Sequence, residues 1–347
     1  MVEIGFTEKI HQITKLAVVV DALAERGIAA DKALRDTGVS PEELHLPTKL
    51  ISLNQLMTGY RNAMRLSPDL DLPFRIGSSV HVSAYGMYGY AILCSMVFRE
   101  TMNFALKYHA LAVPVCAISF DEKNGQGVWT IEPIHHSSIG PKLYRFIVEL
   151  QLGIHVSLHR DIMGSSFKPS EISLTYGPCE DFRLTPELVG CPLRFNRPAN
   201  RITFDSKWLD QTPKLGARVT YASLVALCDE LLADIASRVG SAGRVRSILL
   251  EDIANRPSFE AIAKLLGTTP RTLRRQLQKQ GTSYRDLVDE LRVQIAIKYL
   301  AETNMTNEDI AFALGFSDAA NFRHAFRRWT QRAPGAIRRN WNDDTAQ

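Results

Sequence analysis

Residues 310–318 read Ile-Ala-Phe-Ala-Leu-Gly-Phe-Ser-Asp, and they carry the signals of a helix, a turn and a second helix start. The apolar residues of Glu308–Leu314 recur at helical spacing, which predicts a short amphipathic helix. Gly315 follows, and glycine enters the left-handed turn conformation at little cost. Either Ser317 or Asp318 suits the cap of the next helix. The stretch therefore predicts a helix-turn-helix.

The second helix of this unit is basic. Phe322 and Phe326 lie four residues apart, so we expect both to pack inward. The other faces carry side chains suited to a major groove, where Arg reads guanine edges with two hydrogen bonds. The side chains expected at the DNA are Asn321, Arg323, His324, Arg327 and Arg328.

A similar unit precedes it. Phe259–Leu266 predicts a short helix, Gly267 the turn, and Thr269 the cap of a new helix with Pro270 at its first position. Two leucines of that helix, four residues apart, are expected to face the core. The residues on its remaining faces are Arg271, Thr272, Arg274, Arg275 and Gln278.

One predicted helix, Tyr284–Leu300, links the two units. At ~1.5 Å per residue it spans roughly 25 Å, a suitable strut for two reading helices one DNA turn, ~34 Å, apart. Either unit alone also fits an ordinary helical hairpin. Two units on one linking helix, both with capped basic second helices, predict a DNA-binding domain.

The distribution of charge agrees. The chain has 41 Lys+Arg and 37 Asp+Glu, a net charge of +4. From Ser241 to Gln347 there are 17 Lys+Arg and 12 Asp+Glu, so this third carries +5 and the rest −1. The basic excess therefore lies where DNA contacts are expected.

The stretch 310–318, with Asn321-Phe322-Arg323, residues 325–329, Pro334 and Arg338, resembles the signature of the AraC/XylS family. The resemblance covers about Gly243–Arg339, and includes residues 271–277 and 281–284. Gln331, Ala333 and Ile337 depart from the family pattern, which affects C-terminal packing more than DNA reading. The resemblance implies base-reading positions at Arg271, Arg274, Arg275, Ala319, Ala320, Asn321 and His324. The two alanines lack hydrogen-bonding side chains and can only touch a thymine methyl group.

The earlier residues predict helices, a hairpin, a helix and then strands, which indicates an α+β domain. Asn124-Gly125 predicts the hairpin turn between strands at Val113–Phe120 and Gly127–Ile134. The predicted helices include Thr7–Glu25, Leu53–Leu66, Tyr90–Leu111, Pro141–Met163 and Lys214–Val239; the later strands are Glu171–Tyr176, Leu193–Phe195 and Arg201–Phe204. Residues 194–204 resemble the AraC branch with an arabinose-binding-type sensor domain, a name that does not establish arabinose as the ligand.

The run Gly240-Ser241-Ala242-Gly243 predicts the domain boundary. The expected fold is an α+β N-terminal domain for ligand sensing and dimerisation, residues 1–239, followed by an all-α double helix-turn-helix DNA-binding domain, residues 243–340. The stripe Leu224, Leu227, Leu231 and Ile235 must be buried somewhere. It packs either on its own N-terminal domain or against a second chain.

Residues 81–90, His-Val-Ser-Ala-Tyr-Gly-Met-Tyr-Gly-Tyr, are rich in aromatics and glycine. Aromatic walls with polar tips suit a small, partly apolar molecule. The expected ligand contacts are His81, Tyr85, Tyr88 and Tyr90. The alternative is a packed strand-to-helix connection without a ligand.

The sequence gives only weak signals for redox, metal-binding or catalytic chemistry. The odd, scattered cysteines indicate buried free thiols, with a Cys179–Cys191 redox pair as the alternative. His155 and His159, four apart, and His135-His136 have metal-ligand spacing, but core, surface or turn histidines are favoured. We find no nucleophile elbow, phosphate loop or complete dinucleotide fingerprint. No enzyme activity, cofactor, metal, signal peptide or membrane span is expected, and the expected location is the cytoplasm.

Together these features predict a sequence-specific transcription regulator that responds to a ligand and activates a nearby operon. Its expected partners are double-stranded operator DNA, RNA polymerase, a small-molecule effector and a second copy of the chain. The alternative is a DNA-binding regulator without an effector, controlled by abundance or by a protein partner. An enzyme fused to a DNA-binding domain is the third class.

Overall fold

The computed structural model describes residues 6, 8–46, 48–112, 115–134, 136, 138–178, 184–330 and 332–337. They form two compact units. The N-terminal unit comprises Lys9–Ile134 and Lys142–Asp234. The C-terminal unit comprises the described residues from Ile235 onward, with Phe6, Glu8, His136 and residues 138–141. Within the described ranges, no helix has the length and hydropathy needed to cross a bilayer.

Helices make up much of the described part of the N-terminal unit. They are α1 (Thr14–Ala24), α2 (Ala30–Ala33), α3 (Leu53–Leu66), α4 (Leu72–Ser79), α5 (Gly86–Cys94), α6 (Phe98–Lys107), α7 (Pro141–Met163) and α8 (Pro186–Val189). Short 3-10 helices lie at Pro41–His45, Val82–Tyr85, His109–Ala112 and Ser206–Asp210. Helix α7 begins and ends as predicted, and most of its side chains are buried.

Two sheets complete this unit. The strands are β1 (His11–Gln12), β2 (Leu50–Ile51), β3 (Cys116–Lys123), β4 (Gln126–Pro133), β5 (Glu171–Ser173), β6 (Leu193–Arg194) and β7 (Arg201–Asp205). β1 pairs with β2, and the larger sheet has the order β3-β4-β7-β5-β6. Only its β5–β6 pair is parallel among the described strands. Asn124 and Gly125 both have positive φ at the β3–β4 turn, as the hairpin prediction requires.

Three of the predicted helices are wrong in extent, and one of them, Lys214–Val239, begins at Arg218 instead. Helix α1 begins at Thr14 rather than Thr7, because His11 and Gln12 pair with β2 instead. The predicted helix Tyr90–Leu111 is two helices with a break after α5. In this break the Glu100 carboxylate of α6 accepts from the Met96 backbone N–H at 3.1 Å, one residue before the cap position Val97.

The C-terminal unit is helical throughout its described part. Helix α9 (Arg218–Glu251) enters it, followed by α10 (Phe259–Leu265), α11 (Pro270–Lys279), α12 (Tyr284–Glu302), α13 (Asn307–Ala313) and α14 (Ala319–Thr330). Its core unites the buried residues of all six helices. The α+β class predicted for the first part and the all-α class predicted for the second are confirmed.

Helix α9 runs past the predicted boundary, but its backbone leaves the helical conformation at Gly240, with φ 61° and ψ −154°. The next turn restarts with its own cap, since the Gln280 side-chain oxygen accepts from the Ala242 N–H at 2.9 Å. The Ser241 hydroxyl donates to the Gln276 side-chain oxygen at 2.6 Å. The small-residue run thus marks a kink between two helical segments, rather than a loop.

Candidate nucleic-acid interface and effector cavity

The first helix-turn-helix consists of α10 and α11. The Thr269 side chain caps α11 by accepting the Thr272 N–H at 3.2 Å, and Gly267 takes a φ of 64° in the turn. Leu273 and Leu277 are fully buried. The opposite face of α11 is exposed, and it carries Arg271, Arg274, Arg275 and Gln278. Thr272, predicted at the DNA, is half-buried and bonds the Thr269 hydroxyl at 2.9 Å.

The second helix-turn-helix consists of α13 and α14. Gly315 turns the chain with φ 69°, and a Cβ there would lie 2.2 Å from the Ala254 carbonyl oxygen. No larger residue fits this close approach. Phe322 and Phe326 are buried, as predicted. The exposed side chains of α14 are Ala320, Asn321, Arg323, His324, Arg327 and Arg328, and Ala319 is half-buried.

Asp318, not Ser317, caps α14. Its carboxylate accepts the Asn321 N–H at 2.7 Å, and this hydrogen bond lowers the pKa of Asp318. The Asn321 side-chain amide also donates to Ser317 Oγ and Asp318 Oδ2, both at 2.8 Å. Asn321 is therefore held at the helix start, and its amide must exchange these partners to donate to a base.

Helix α12 contacts and stabilises both helix-turn-helix units, and we call these contacts the brace. The Tyr284 hydroxyl donates to the Pro257 carbonyl at 2.6 Å, just ahead of α10. Two turns later, Arg292 donates from Nε to Leu314 O at 2.9 Å and from Nη2 to Gly315 O at 3.1 Å. Its guanidinium lies 4.3 Å from the Phe316 ring centroid. The same helix thus holds the segment before the first unit and the turn of the second.

Sequence reasoning missed Arg292. The available signal was spacing, since Tyr284, Val288 and Arg292 recur every four residues on one helix face. Arg292 is 7% exposed, and burial lowers its pKa. A charge on the apolar face of a linking helix signals a specific buried acceptor.

A basic groove of about 760 Å³ lies beside α12 and α14. Its lining includes Arg256, Arg285, His324 and Arg328. Arg328 forms an ion pair with Asp289 of α12 at 3.5 Å, so this predicted DNA contact also belongs to the brace. Sequence reasoning assigned no role to Arg256 or Arg285, which lie outside the two reading helices.

The N-terminal unit contains a partly open cavity with about 50 Å³ of free space. Its wall includes Tyr85 and Tyr88 from the predicted ligand segment, and burial raises the pKa of both hydroxyls. His81 and Tyr90 are exposed and do not line the cavity. His81 Nδ1 lies 3.0 Å from the Asp161 carboxylate. Tyr90 lies two residues beyond Tyr88, so the helical turn of α5 directs it to the other side.

His155 and His159 line the cavity as hydrogen-bonded core residues. Each Nδ1 bonds a backbone carbonyl one turn earlier, at 2.9 and 2.6 Å. The Trp129 indole N–H donates to His159 Nε2 at 3.1 Å. Burial lowers the pKa of four histidines, to about 3 for His155 and to about 4 for His11, His109 and His159. All four are neutral at pH 7.

The remaining candidates are the metal-ligand and cysteine residues. Within the described residues, no three His, Cys, Asp or Glu side chains group as metal ligands. Cys94, Cys116, Cys191 and Cys228 are free thiols. Cys179 and His135 lie outside the described residues, as do Gln331 and Arg338 of the C-terminal pattern.

Residues 27–213 match the arabinose-binding domain of AraC transcription regulators, N-terminal, and residues 262–340 match a helix-turn-helix domain. The chain belongs to the AraC family of transcription regulators. This AraC-family chain is a DNA-binding transcriptional regulator, and the fold of both units agrees with that assignment.

The AraC-family chain is 28% identical over 338 residues to the ornithine utilization regulator of Pseudomonas aeruginosa, covering 96% of this chain and 98% of that protein. It is 36% identical over 80 residues to the urease operon transcriptional activator of Escherichia coli, covering 23% and 27% of the two chains. The crystal structure of the transcriptional regulator CdpR from P. aeruginosa is similar in fold, with a TM-score of 0.50 and 20% identity over 94% of this chain and 98% of that one.

Proposed function

We propose that this AraC-family protein is a ligand-responsive, non-enzymatic regulator that activates transcription of an adjacent operon. The observation that carries the proposal is the cavity lined by aromatic side chains in the N-terminal unit of a chain whose C-terminal unit is a double helix-turn-helix. A ligand that binds one conformation better biases DNA affinity, with a coupling of order 1–3 kcal/mol. The effector therefore changes operator occupancy by several-fold to about a hundredfold.

We choose the proposed DNA contacts from the predicted residues whose side chains are exposed to solvent. The base-reading and phosphate-binding side chains are Arg271, Arg274, Arg275, Gln278, Arg323, His324 and Arg327. Ala319 and Ala320 touch a thymine methyl group. Thr272, Asn321 and Arg328 have local partners within the caps and the brace, so we assign them positioning roles next to the DNA.

The regulator acts as a homodimer in this proposal. The leucines of the α9 stripe differ in exposure, since Leu224 is buried whereas Leu227 and Leu231 are 42% and 43% exposed. Val219, about two turns before Leu227 in the same helix, is 81% exposed. An apolar helix face of this kind suits a second copy of the chain. Two copies would also double the DNA contacts of a single chain.

The activating direction is supported by the printed role of the E. coli relative as an activator. Its test is transcription in vitro from the adjacent promoter with purified RNA polymerase. Added regulator should raise the amount of transcript, and Arg274→Ala should reduce this gain. Lower transcription on adding the regulator contradicts activation.

Ligand control is tested by a reporter screen of metabolites, followed by calorimetry on the full chain. Tyr85→Ala and Tyr88→Ala should weaken effector binding, whereas Tyr90→Ala, at an exposed position, should not. Unaltered binding by both cavity variants places the effector elsewhere. The small free volume of the cavity favours the second candidate, a regulator controlled by abundance or by a protein partner. A screen in which no compound changes operator occupancy supports that candidate.

A further inference from the structure

The chemistry of the cavity wall narrows the class of effector. Eight helices and strands contribute side chains, including Lys15 from α1, Tyr88 from α5, Met102 from α6, Trp129 from β4 and His155 from α7. Most of the wall is aromatic or aliphatic. An apolar wall with few polar groups selects a ligand by shape and by one or two oriented polar contacts.

The cavity wall carries a positive charge, the ammonium group of Lys15. Lys15 is 7% exposed, and its ammonium lies 5.9 Å from the Tyr85 ring centroid. Burial lowers the pKa of Lys15 to about 8, so it stays largely protonated at neutral pH. Its charge also adds to burial in lowering the pKa of His11 and His155. Among the described residues that line the cavity, none is Asp or Glu.

The apolar part of the wall defines the rest of the ligand. Tyr85, Tyr88 and Trp129 supply aromatic surface to the cavity wall, and Tyr85 is the one whose ring lies near the Lys15 ammonium. The free volume of about 50 Å³ is larger than that of one water molecule but smaller than that of an organic acid. Side chains must therefore move when such a ligand enters. Tyr85 is the partly exposed member of this aromatic set, and so it lies between the cavity and solvent.

We propose that the cavity binds a small organic monocarboxylic acid, with the carboxylate on Lys15 Nζ and the apolar part against Tyr85, Tyr88 and Trp129. This inference rests on the proposed function, since it names the chemistry of the effector. A charge-assisted hydrogen bond in a site of low polarity gives such an acid its preference over neutral analogues.

The test uses the full chain and four probes, hexanoate and benzoate with their amides hexanamide and benzamide. Calorimetry should show binding of at least one acid, with its amide at least tenfold weaker. Lys15→Met should weaken acid binding at least tenfold. The control, Lys32→Met, removes the same charge from an exposed position and should leave binding unchanged. Circular dichroism checks that both variants fold.

Equal binding of an acid and its amide overturns the inference, as does equal binding of the acid by wild type and Lys15→Met. The acid–amide comparison requires only wild-type protein, so the inference stays testable if Lys15→Met does not fold. Absence of binding by all four probes also overturns it. In that case the proposed function still stands if the metabolite screen finds a neutral or phosphorylated compound that changes operator occupancy.

Discussion

Arg292→Met tests the brace between α12 and the second helix-turn-helix. The variant keeps an apolar stem but removes the donors to Leu314 O and Gly315 O. Leu314 is buried, so its carbonyl loses a partner without gaining water, at a cost of about 1–3 kcal/mol. The Gly315 backbone is exposed and its carbonyl can be hydrated, so that loss is smaller. The lost contact with Phe316 adds about 1 kcal/mol.

One effect opposes these losses. Removing the guanidinium also removes its own burial penalty, which the lowered pKa of Arg292 reports. We therefore expect a net loss of about 2–3 kcal/mol, which corresponds to a 30- to 150-fold larger population of the locally opened state. Lys298→Met changes the same charge at an exposed position of α12 and should cost under about 0.5 kcal/mol.

Amide hydrogen exchange read by mass spectrometry localises the effect. Peptides that cover residues 306–330 should exchange faster in Arg292→Met than in Lys298→Met, while peptides of the N-terminal unit should not change. Operator affinity should fall together with this protection, because the second reading helix is less well held. Equal exchange in the two variants would refute the brace.

Three further predictions concern DNA, assembly and pH. Arg274→Ala and Arg275→Ala should each weaken operator binding in gel shifts, by about 1–3 kcal/mol for an arginine that reads a base; unchanged affinity in both refutes the placement of α11. The double variant Leu227→Asp, Leu231→Asp should halve the mass measured by light scattering, and a folded variant with wild-type mass excludes this interface. Burial lowers the pKa of four histidines, His11, His109, His155 and His159, so the unfolded chain binds more protons below pH 6.5 and stability falls on acidification towards pH 4. Glu149, whose pKa burial raises to about 8, opposes one of the four, which leaves a net loss of about 4 kcal/mol per pH unit between pH 6 and pH 5; a melting temperature at pH 5 equal to that at pH 7 contradicts this reasoning.

Local signals in the sequence predicted much of the fold. The glycine turns, the cap of α11, the buried leucines and the Asn124-Gly125 hairpin all depend on neighbouring residues, and each is present. Helix α7 has its predicted bounds, because Pro141 starts it and its apolar residues continue to Met163.

Features that depend on distant residues were not predictable. Helix α1 starts late because β1 pairs with a strand some forty residues away. The strand order of the larger sheet joins segments separated by two helices. Lys15 has no local mark that places it on the cavity wall, and only the packing of α1 brings it there. The predicted ligand segment supplied only some of the cavity residues, since helical geometry turns Tyr88 inward and Tyr90 outward.

The central claim is that one chain reads DNA with two helices, α11 and α14. Hydroxyl-radical footprinting of the full chain tests it, on operator fragments selected from genomic DNA by affinity. We predict two protected segments per chain, about 10 base pairs apart on one face of the duplex. Arg274→Ala should weaken protection of one segment, and Arg327→Ala that of the other. A single protected segment per chain, or loss confined to the same segment in both variants, would contradict the account.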